Sequence, residues 1–292
     1  MNIQWYPGHM AKTKREIKEN LKLVDVVIEL LDARIPFSSR NPDLDEIISG
    51  KEKVVLLNKA DLANDAITNQ WIKYYKERGI EAMAIDSITG KGLNKIYAIC
   101  KEAVKEKIER DEKKGIIGRP LRAMVTGIPN VGKSSFINKI GGKSTARTGD
   151  KPGVTRSKQW IKVNKEFELQ DTPGVLWPKF DDNRVAQRLA FTRAIKDEIL
   201  DIVELAYFFV KYLQETNPEI LTSRYNVELN MEDPYETMVA IGRKRGCVVS
   251  GGGIDEVRVA NLVLDEYRTG KLGRITLETP AGLEESQEEN NQ

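Results

Sequence analysis

The chain has 292 residues, of which 40% are hydrophobic and 31% charged, enough for one large or two modest globular domains. Its formal net charge of +2 is too small to indicate a nucleic-acid partner by itself. Two cysteines far apart in the chain exclude a cysteine metal cluster and fit a reducing compartment. No apolar run reaches the length of a membrane span, and the N-terminus lacks a secretory pattern, so we expect a cytoplasmic protein without a membrane partner.

The first segment combines an aromatic turn with a basic stretch. Residues 5–10 are Trp-Tyr-Pro-Gly-His-Met and include the single histidine, His9. The stretch that follows, to Lys22, is rich in lysine and has helical character. It is either a solvated amphipathic helix packed on the domain or a helix that contacts phosphate or RNA, and the sequence leaves both open.

Four apolar runs in the first half of the chain predict strands, and two periodic segments predict helices. Such nearly unbroken apolar strands are typical of a buried parallel sheet. The predicted strands are 24–31, 53–57, 80–85 and 121–126, and the predicted helices are 67–78 and 93–113.

The tetrapeptide Asn58-Lys59-Ala60-Asp61 has the N-K-x-D form and follows the second predicted strand. An aspartate there accepts two hydrogen bonds from the N1–H and N2 amine of guanine, whereas adenine presents the opposite pattern. Asp61 is therefore predicted to select GTP over ATP, with Asn58, Lys59 and Ala60 in the same nucleotide-binding turn. Ser87, after the third strand, is predicted to support guanine O6, the alternative being ordinary loop polarity.

Residues 127–134 have the pattern G-x-x-x-x-G-K-S, between the fourth strand and a helix-like segment at 135–140. Such a loop turns its backbone N–H groups around phosphate oxygens, and the helix adds the positive end of its dipole. Lys133 is predicted to reach the β- and γ-phosphates as a catalytic residue, and the Ser134 hydroxyl to bind Mg²⁺. The other predicted nucleotide contacts in this loop are Asn130, Val131, Gly132 and Ser135.

A long loop rich in glycine, serine, threonine and lysine follows at 141–158, and loops of this length are usually functional. Within it, Thr155 is predicted to close on Mg²⁺ in the GTP state, unless it is an ordinary loop residue. Segments 160–163 and 167–170 predict a hairpin that ends in Asp171-Thr172-Pro173-Gly174. Asp171 is predicted to hold Mg²⁺ through water, and the Gly174 N–H to contact the γ-phosphate.

The order of these motifs is unusual, because N-K-x-D precedes the P-loop instead of following it. The same sheet can form when chain ends are relocated at the surface. We therefore predict an α/β fold: a circularly permuted P-loop GTPase domain over residues 1–180, with a mostly parallel sheet flanked by helices, followed by a small all-α domain. The turn at Gly174 leads directly into that second domain, so loss of the γ-phosphate is expected to reposition it.

Helical patterns dominate after about residue 182. A spacing of 3.6 residues runs through 199–213, Asp233-Pro234 begins a helix that ends near Gly246, and Asp255 begins another. We predict a helical domain over 181–280, to which the family resemblance given below adds RNA binding, and a disordered acidic tail over 281–292. Seven basic residues of the helical domain are candidate phosphate contacts, the alternative being that they form a solvated surface. They are Arg243, Lys244, Arg245, Arg258, Arg268, Lys271 and Arg274.

Taken together, the motifs resemble those of the circularly permuted GTPases of the ribosome biogenesis GTPase A family. The resemblance covers essentially the whole chain and is carried by residues 5–10, 32–36, 58–61, 127–134, 171–174 and 270–273. It implies a factor that binds immature large ribosomal subunits and hydrolyses GTP on them. It also implies that the C-terminal helical domain contacts ribosomal RNA. We expect a monomer with GTP or GDP as ligand.

Two expectations concern catalysis. Many GTPases carry a glutamine after the D-x-x-G turn to orient water, but this chain has Val175, so weak intrinsic turnover is predicted. The resemblance points to His9 as the group that orients or deprotonates water, the alternative being a surface or packing role. The resemblance to related GTPases also implies that Asn130 coordinates K⁺ as an activator.

A second class of function also fits these motifs, namely a nucleotide-gated RNA-binding module in which hydrolysis is incidental. The P-loop alone does not separate it from a ribosome-stimulated enzyme. A permuted GTPase of the type that matures the small subunit is disfavoured, because the chain has neither the cysteines for a zinc cluster nor the strand pattern of a β-barrel domain.

Overall fold

The computed structural model describes residues 10–48, 50–142, 160–172 and 182–283, with side chains from residue 15 onward. Within these ranges one compact unit comprises the residues up to 172 and from 276 onward, and a second comprises 182–275. The strands are β1 (Val26–Asp32), β2 (Glu52–Asn58), β3 (Glu81–Ala84), β4 (Leu121–Gly127), β5 (Trp160–Lys162) and β6 (Phe167–Asp171). The α-helices are α1 (Met10–Leu21), α2 (Pro42–Ile47), α3 (Asp65–Glu77), α4 (Ile96–Ala103), α5 (Lys105–Lys113), α6 (Lys133–Gly141), α7 (Asn183–Phe191), α8 (Ile202–Thr216), α9 (Pro218–Tyr225), α10 (Pro234–Lys244) and α11 (Glu256–Arg268).

The first unit is built on one six-stranded sheet with the order β3-β2-β1-β4-β6-β5. The five neighbours from β3 to β6 pair in parallel, and only the edge strand β5 is antiparallel, to β6. Because the N-K-x-D strand β2 lies before the P-loop strand β4 in the chain, the two motifs enter this mostly parallel sheet in the permuted order that the sequence predicts. The predicted fold class is thereby confirmed, as is the predicted hairpin of β5 and β6.

The core of the sheet lies on the central strand β1, whose seven residues are all buried. On one face β1 and β2 pack against α3, where Trp71 and Tyr75 are almost completely buried. Helix α3 begins earlier than predicted because the Asn64 side chain accepts the N–H groups of Ala66 and Ile67. Helix α1 buries Ile17 in the core, as expected for an amphipathic helix packed on the domain.

Two features of this unit differ from the prediction. The segment 93–113 is not one helix: a 3₁₀ turn at Leu93–Lys95 precedes α4, and the chain leaves helical geometry at Val104 (φ −111°, ψ 18°) before α5. Val104 is buried, so its side chain is held in the core where the two helices meet. Helix α2 was not predicted because its six residues are too few for a hydrophobic period, although Asn41 caps it and Pro42 occupies its first turn.

The second unit, as far as it is described (182–275), contains the helices α7 to α11 and no strand of the sheet. Its core centres on Phe209, whose ring lies 5.1 Å from that of Phe191 and 4.8 Å from that of Tyr267. Arg268, one of the predicted phosphate contacts, is instead structural: its side chain is 8% exposed and lies 2.8 Å from Asp197. No described helix has both the length and the apolar character that a membrane span requires.

The end of the chain corrects the predicted domain boundary at residue 280. Residues from Thr276 onward belong to the first unit, where Leu277 N–H donates to the Arg34 carbonyl over 2.8 Å. Glu278 accepts the N–H groups of Phe37 and Ser38 at 2.7 and 2.8 Å. The predicted tail therefore begins later than 281, since Leu283 packs against the hydrophobic cluster around Trp71. Residues 284–292 lie outside the described part of the chain.

Candidate nucleotide-binding site

The predicted nucleotide-binding motifs meet at one edge of the sheet. β1, β2, β4 and β6 run in parallel, so their last residues, Asp32, Asn58, Gly127 and Asp171, end on the same side. Ligands of open α/β sheets bind in the crevice outside the carboxyl ends of the strands. The motifs that are far apart and reversed in the chain are thereby brought to a single site.

The P-loop joins β4 to α6 through two glycines that no other residue can replace without a clash. Gly127 has φ +152°, and a Cβ there would lie 2.6 Å from the Leu30 carbonyl oxygen. Gly132 has φ +101°, and its Cβ would lie 2.4 Å from Asn58 Nδ2. These close approaches let the loop fold tightly against β1 and the N-K-x-D turn, with Gly132 directly before the first turn of α6. The N-terminus of this helix is a favourable place for phosphate.

The side chain of Lys133 is buried against the P-loop. Its ammonium donates to the carbonyl oxygens of Gly127 at 3.0 Å and Ile128 at 2.8 Å. Burial lowers the pKa of Lys133 to about 8, and the charge of Asp171 opposes that decrease. An ammonium has three N–H donors, so one is left to meet a phosphate oxygen.

Asn58 connects the P-loop to the loop after β3. Its Nδ2 donates to the Val131 carbonyl at 2.7 Å, and its Oδ1 accepts both the N–H and the hydroxyl of Ser87, at 3.1 and 2.8 Å. Both donors of Ser87 are used in these bonds, so a contact of Ser87 with guanine O6 requires one of them to be exchanged. The task that the geometry gives Ser87 is to orient Asn58.

The turn that carries Asp61 is fixed by backbone bonds on both sides. Ala60 N–H donates to the Ile85 carbonyl at 3.2 Å, and Ile85 N–H donates to the Leu57 carbonyl at 2.9 Å. Asp61 lies in the following 3₁₀ turn (Ala60–Leu62) and its side chain is exposed. Lys59 directly precedes this 3₁₀ turn. Its ammonium donates to the Asn130 carbonyl at 2.8 Å and so connects the turn to the P-loop.

The residues predicted to bind Mg²⁺ have the donor chemistry that the ion takes. Ser134, in the first turn of α6, offers a hydroxyl oxygen, and Asp171, buried at the end of β6, offers a carboxylate. Mg²⁺ is a hard cation that uses oxygen ligands together with water and phosphate. Thr172 keeps the end of β6 beside the P-loop strand, since its hydroxyl donates to the Val125 carbonyl at 2.7 Å. The described residues therefore fit a Mg²⁺ site of this composition.

Four residues that the sequence analysis singled out lie outside the described part of the chain: His9, Thr155, Gly174 and Val175. Their roles stay predictions. Conversely, Asp32 and Arg34, for which no role was predicted, form a buried ion pair at the same edge of the sheet. The sequence contains one indication of this ion pair, namely an acidic residue at the end of an apolar strand with an arginine two positions later.

Comparison with known proteins agrees with this geometry. The family described as "50S ribosome-binding GTPase" matches residues 122–236, which begin at the P-loop strand. Ribosome biogenesis GTPase A of Bacillus cereus is 53% identical over 289 residues, covering 99% of this chain and 98% of the relative. The protein of the same name from Thermotoga maritima is 31% identical, and the match covers 98% of each chain.

Solved structures give the same result at the level of the fold. A structure described as GDP-bound TM YlqF has a TM-score of 0.64 and 27% identity, with 91% of this chain and 100% of that chain covered. A structure described as GNP-bound YlqF from T. maritima has a TM-score of 0.63 and 27% identity, with 92% and 98% covered.

Proposed function

The chain belongs to the ribosome biogenesis GTPase A family and is therefore a GTPase, and we propose that it hydrolyses GTP on immature large ribosomal subunits late in their assembly. It does so as a cytoplasmic monomer whose hydrolysis is stimulated by the particle. The observation that most directly supports the nucleotide site of this proposal is the Asn58 side chain, which bonds to the P-loop and to the loop of Ser87. This side chain joins the phosphate and guanine ends of one nucleotide site.

In this proposal each part of the site has one task. Backbone N–H groups of residues 130–135 and the Lys133 ammonium hold the phosphates, while Asp61 accepts the N1–H and N2 amine of guanine. Ser134, Thr155 and Asp171 would hold Mg²⁺, which would supply positive charge beside the phosphates. The Gly174 N–H contacts the γ-phosphate, so the turn that follows Asp171 senses hydrolysis.

Affinity for GDP is expected to fall by roughly tenfold between pH 7 and pH 9, as Lys133 loses its proton. Burial lowers the pKa of Lys133 to about 8, and only its protonated form attracts phosphate. The ammonium is thus present below pH 8 and lost above it, so binding is accompanied by proton uptake. Titration with a fluorescent GDP analogue from pH 7 to 9 measures this. The matched Lys133→Gln variant, which has no ammonium, should bind more weakly and without that pH dependence; a parallel decrease in both proteins would refute the assignment.

Turnover is expected to be several-fold faster in K⁺ than in Na⁺ buffer at equal ionic strength. Asn130 lies in the middle of the P-loop and has a left-handed backbone (φ 57°). In the proposed site the Asn130 side chain would hold K⁺, and this ion would supply positive charge beside the phosphates, as an arginine finger does in other GTPases. Steady-state GTP hydrolysis in the two salts measures this. Equal rates would remove K⁺ from the mechanism.

The proposed partner is tested by sedimentation with immature large subunits in the presence of a non-hydrolysable GTP analogue, GDP or no nucleotide. We expect co-sedimentation to be strongest with the GTP analogue. The helical unit offers exposed basic residues for contacts with ribosomal RNA, namely Arg243, Lys244, Arg258 and Lys271. Phosphate contacts make binding sensitive to salt, so the bound fraction should fall steeply as salt is raised. Equal sedimentation under all three nucleotide conditions would count against a nucleotide-controlled partner.

The same exposed basic residues favour a second candidate function, a nucleotide-gated RNA-binding module whose hydrolysis is incidental. Both functions predict GTP-dependent binding to the particle. They differ in turnover, because only the first requires the particle to accelerate hydrolysis.

A further inference from the structure

A buried ionic network lies beside the N-K-x-D turn. Asp32 Oδ2 lies 2.7 Å from Arg34 Nη2 and 3.0 Å from Lys59 Nζ. Asp32 Oδ1 also accepts the Arg34 backbone N–H at 3.1 Å and Arg34 Nε at 2.9 Å. Burial opposes ionisation of Asp32, but the charges of Arg34 and Lys59 outweigh it and hold the pKa of this carboxyl well below its ordinary value. Asp32 is therefore a fixed negative charge.

Buried ion pairs are a weak means of stabilising a fold, because desolvation offsets most of their attraction. This network has a different consequence, which lies in the second contact of Lys59. The same ammonium that lies against Asp32 donates to the Asn130 carbonyl at 2.8 Å. Lys59 and Asn130 both have left-handed backbones, with φ of 60° and 57°. Residues other than glycine rarely adopt this conformation and keep it only where the surroundings enforce it.

Arg34, at the other end of the network, is anchored by its backbone as well as its side chain. Its N–H donates to Asp32, and its carbonyl accepts the Leu277 N–H at 2.8 Å. The turn that follows is capped by the Glu278 carboxylate, which accepts the N–H groups of Phe37 and Ser38. The network thus has one rigid end, at Arg34, and one end on the P-loop, at Asn130.

We propose that Asp32 and Arg34 are positioning residues of the nucleotide site. They hold Lys59 in place, and Lys59 in turn holds the P-loop at Asn130. This inference rests on the proposed function, because it assigns a task in nucleotide binding. Without the Asp32 carboxylate, the Lys59 ammonium loses the buried partner that lies 3.0 Å from it, and the P-loop must be ordered anew each time a nucleotide binds. The affinity for GDP then falls although no residue that touches the nucleotide has changed.

The chain contains a matched control on the same strand. Glu29 lies three residues earlier in β1, is 1% exposed and lies 3.0 Å from Lys53 Nζ. Lys53 makes its other ion pair with Asp45, at 2.6 Å, and not with the P-loop. Both networks therefore join a buried carboxylate of β1 to a lysine in β2 or directly after it. Of the two, only the network of Asp32 continues to the P-loop, through the bond from Lys59 to Asn130.

The test measures affinity for a fluorescent GDP analogue in the full chain and in Asp32→Asn, Lys59→Met, their double variant and Glu29→Gln, with the thermal unfolding midpoint of each. We expect Asp32→Asn to weaken binding by about tenfold, the scale of one hydrogen bond to a charged group. The double variant should bind no more weakly than Lys59→Met alone, because Asp32 acts through Lys59. Glu29→Gln should leave affinity within about twofold of the unaltered chain, whatever its effect on stability.

Three results would overturn the inference: unchanged affinity in Asp32→Asn, multiplicative losses in the double variant, or an equal loss in Glu29→Gln. If Asp32→Asn does not fold, Arg34→Lys replaces it, since that change keeps the charge and removes the two-pronged contact with Asp32. A smaller loss of affinity that again disappears in the Lys59→Met background is then expected. Losses of affinity that multiply in the double variant would again overturn the inference. Failure of the unaltered chain to bind the analogue would refute the proposed function itself, and is distinguishable from all of these.

Discussion

The Asp61→Asn variant is expected to lose its preference for guanine and to bind xanthine nucleotides instead. Asp61 is exposed in the turn after Lys59, where its carboxylate can accept the N1–H and N2 amine of guanine. An asparagine amide places a donor against the N2 amine, whereas xanthine presents a carbonyl oxygen at that position. A site built on such hydrogen bonds discriminates by on the order of 10⁴-fold, so this is one of the two largest effects we predict.

Competition of GDP, XDP and ADP against a fluorescent GDP analogue, bound to the unaltered chain, gives the reference affinities. The variant is then measured with a fluorescent XDP analogue. Asp65→Asn is the matched control, because it removes an exposed carboxylate from the first turn of α3 without touching the N-K-x-D tetrapeptide. It should keep the guanine preference. Retention of that preference in Asp61→Asn would show that another residue selects the base.

The His9→Ala variant is expected to lose the acceleration of GTP hydrolysis by immature large subunits, with a decrease on the order of 10² or more. Val175 is apolar and cannot orient the attacking water, so the proposed mechanism gives that task to the imidazole of His9. Affinity for nucleotide and for the particle should stay unchanged, because neither is assigned to this side chain. Single-turnover hydrolysis on saturating particles measures the effect without interference from binding.

A His9→Gln variant separates the two ways in which the histidine can act. An amide can orient water through its oxygen but cannot accept a proton at neutral pH. Partial activity in this variant indicates orientation, and activity as low as that of His9→Ala indicates proton transfer. Full stimulation in both variants would give His9 a structural role and leave the water-orienting group to be found elsewhere.

The parts of the site that the sequence analysis predicted are contiguous motifs with their own local geometry. The P-loop and N-K-x-D are recognisable because each needs glycine, lysine or aspartate at fixed spacing, and their reversed order was enough to predict the permuted sheet. The nearly unbroken apolar run of β1 similarly predicted a buried parallel strand, since a strand covered on both faces has no regular polar alternation.

The parts that escaped prediction depend on contacts between distant residues. Nothing in the sequence near Glu278 indicates that its carboxylate caps the turn at Phe37 and Ser38. The link from Asp32 to Asn130 likewise requires β1, the turn after β2 and the P-loop to be adjacent. Ser87 was assigned to the base because of its place after a strand, whereas its bonds to Asn58 become visible only when the two loops are brought together.

The most direct test of the account is the rate of GTP hydrolysis by the intact chain with and without immature large ribosomal subunits, in K⁺ buffer with Mg²⁺. We predict slow turnover alone and an increase of roughly tenfold or more on the particle, as expected when a site that lacks the usual glutamine is completed by its partner. Mature small subunits, used as a control, should give no increase. Equal rates with and without the large-subunit particle would contradict the proposed enzyme and favour the nucleotide-gated RNA-binding module.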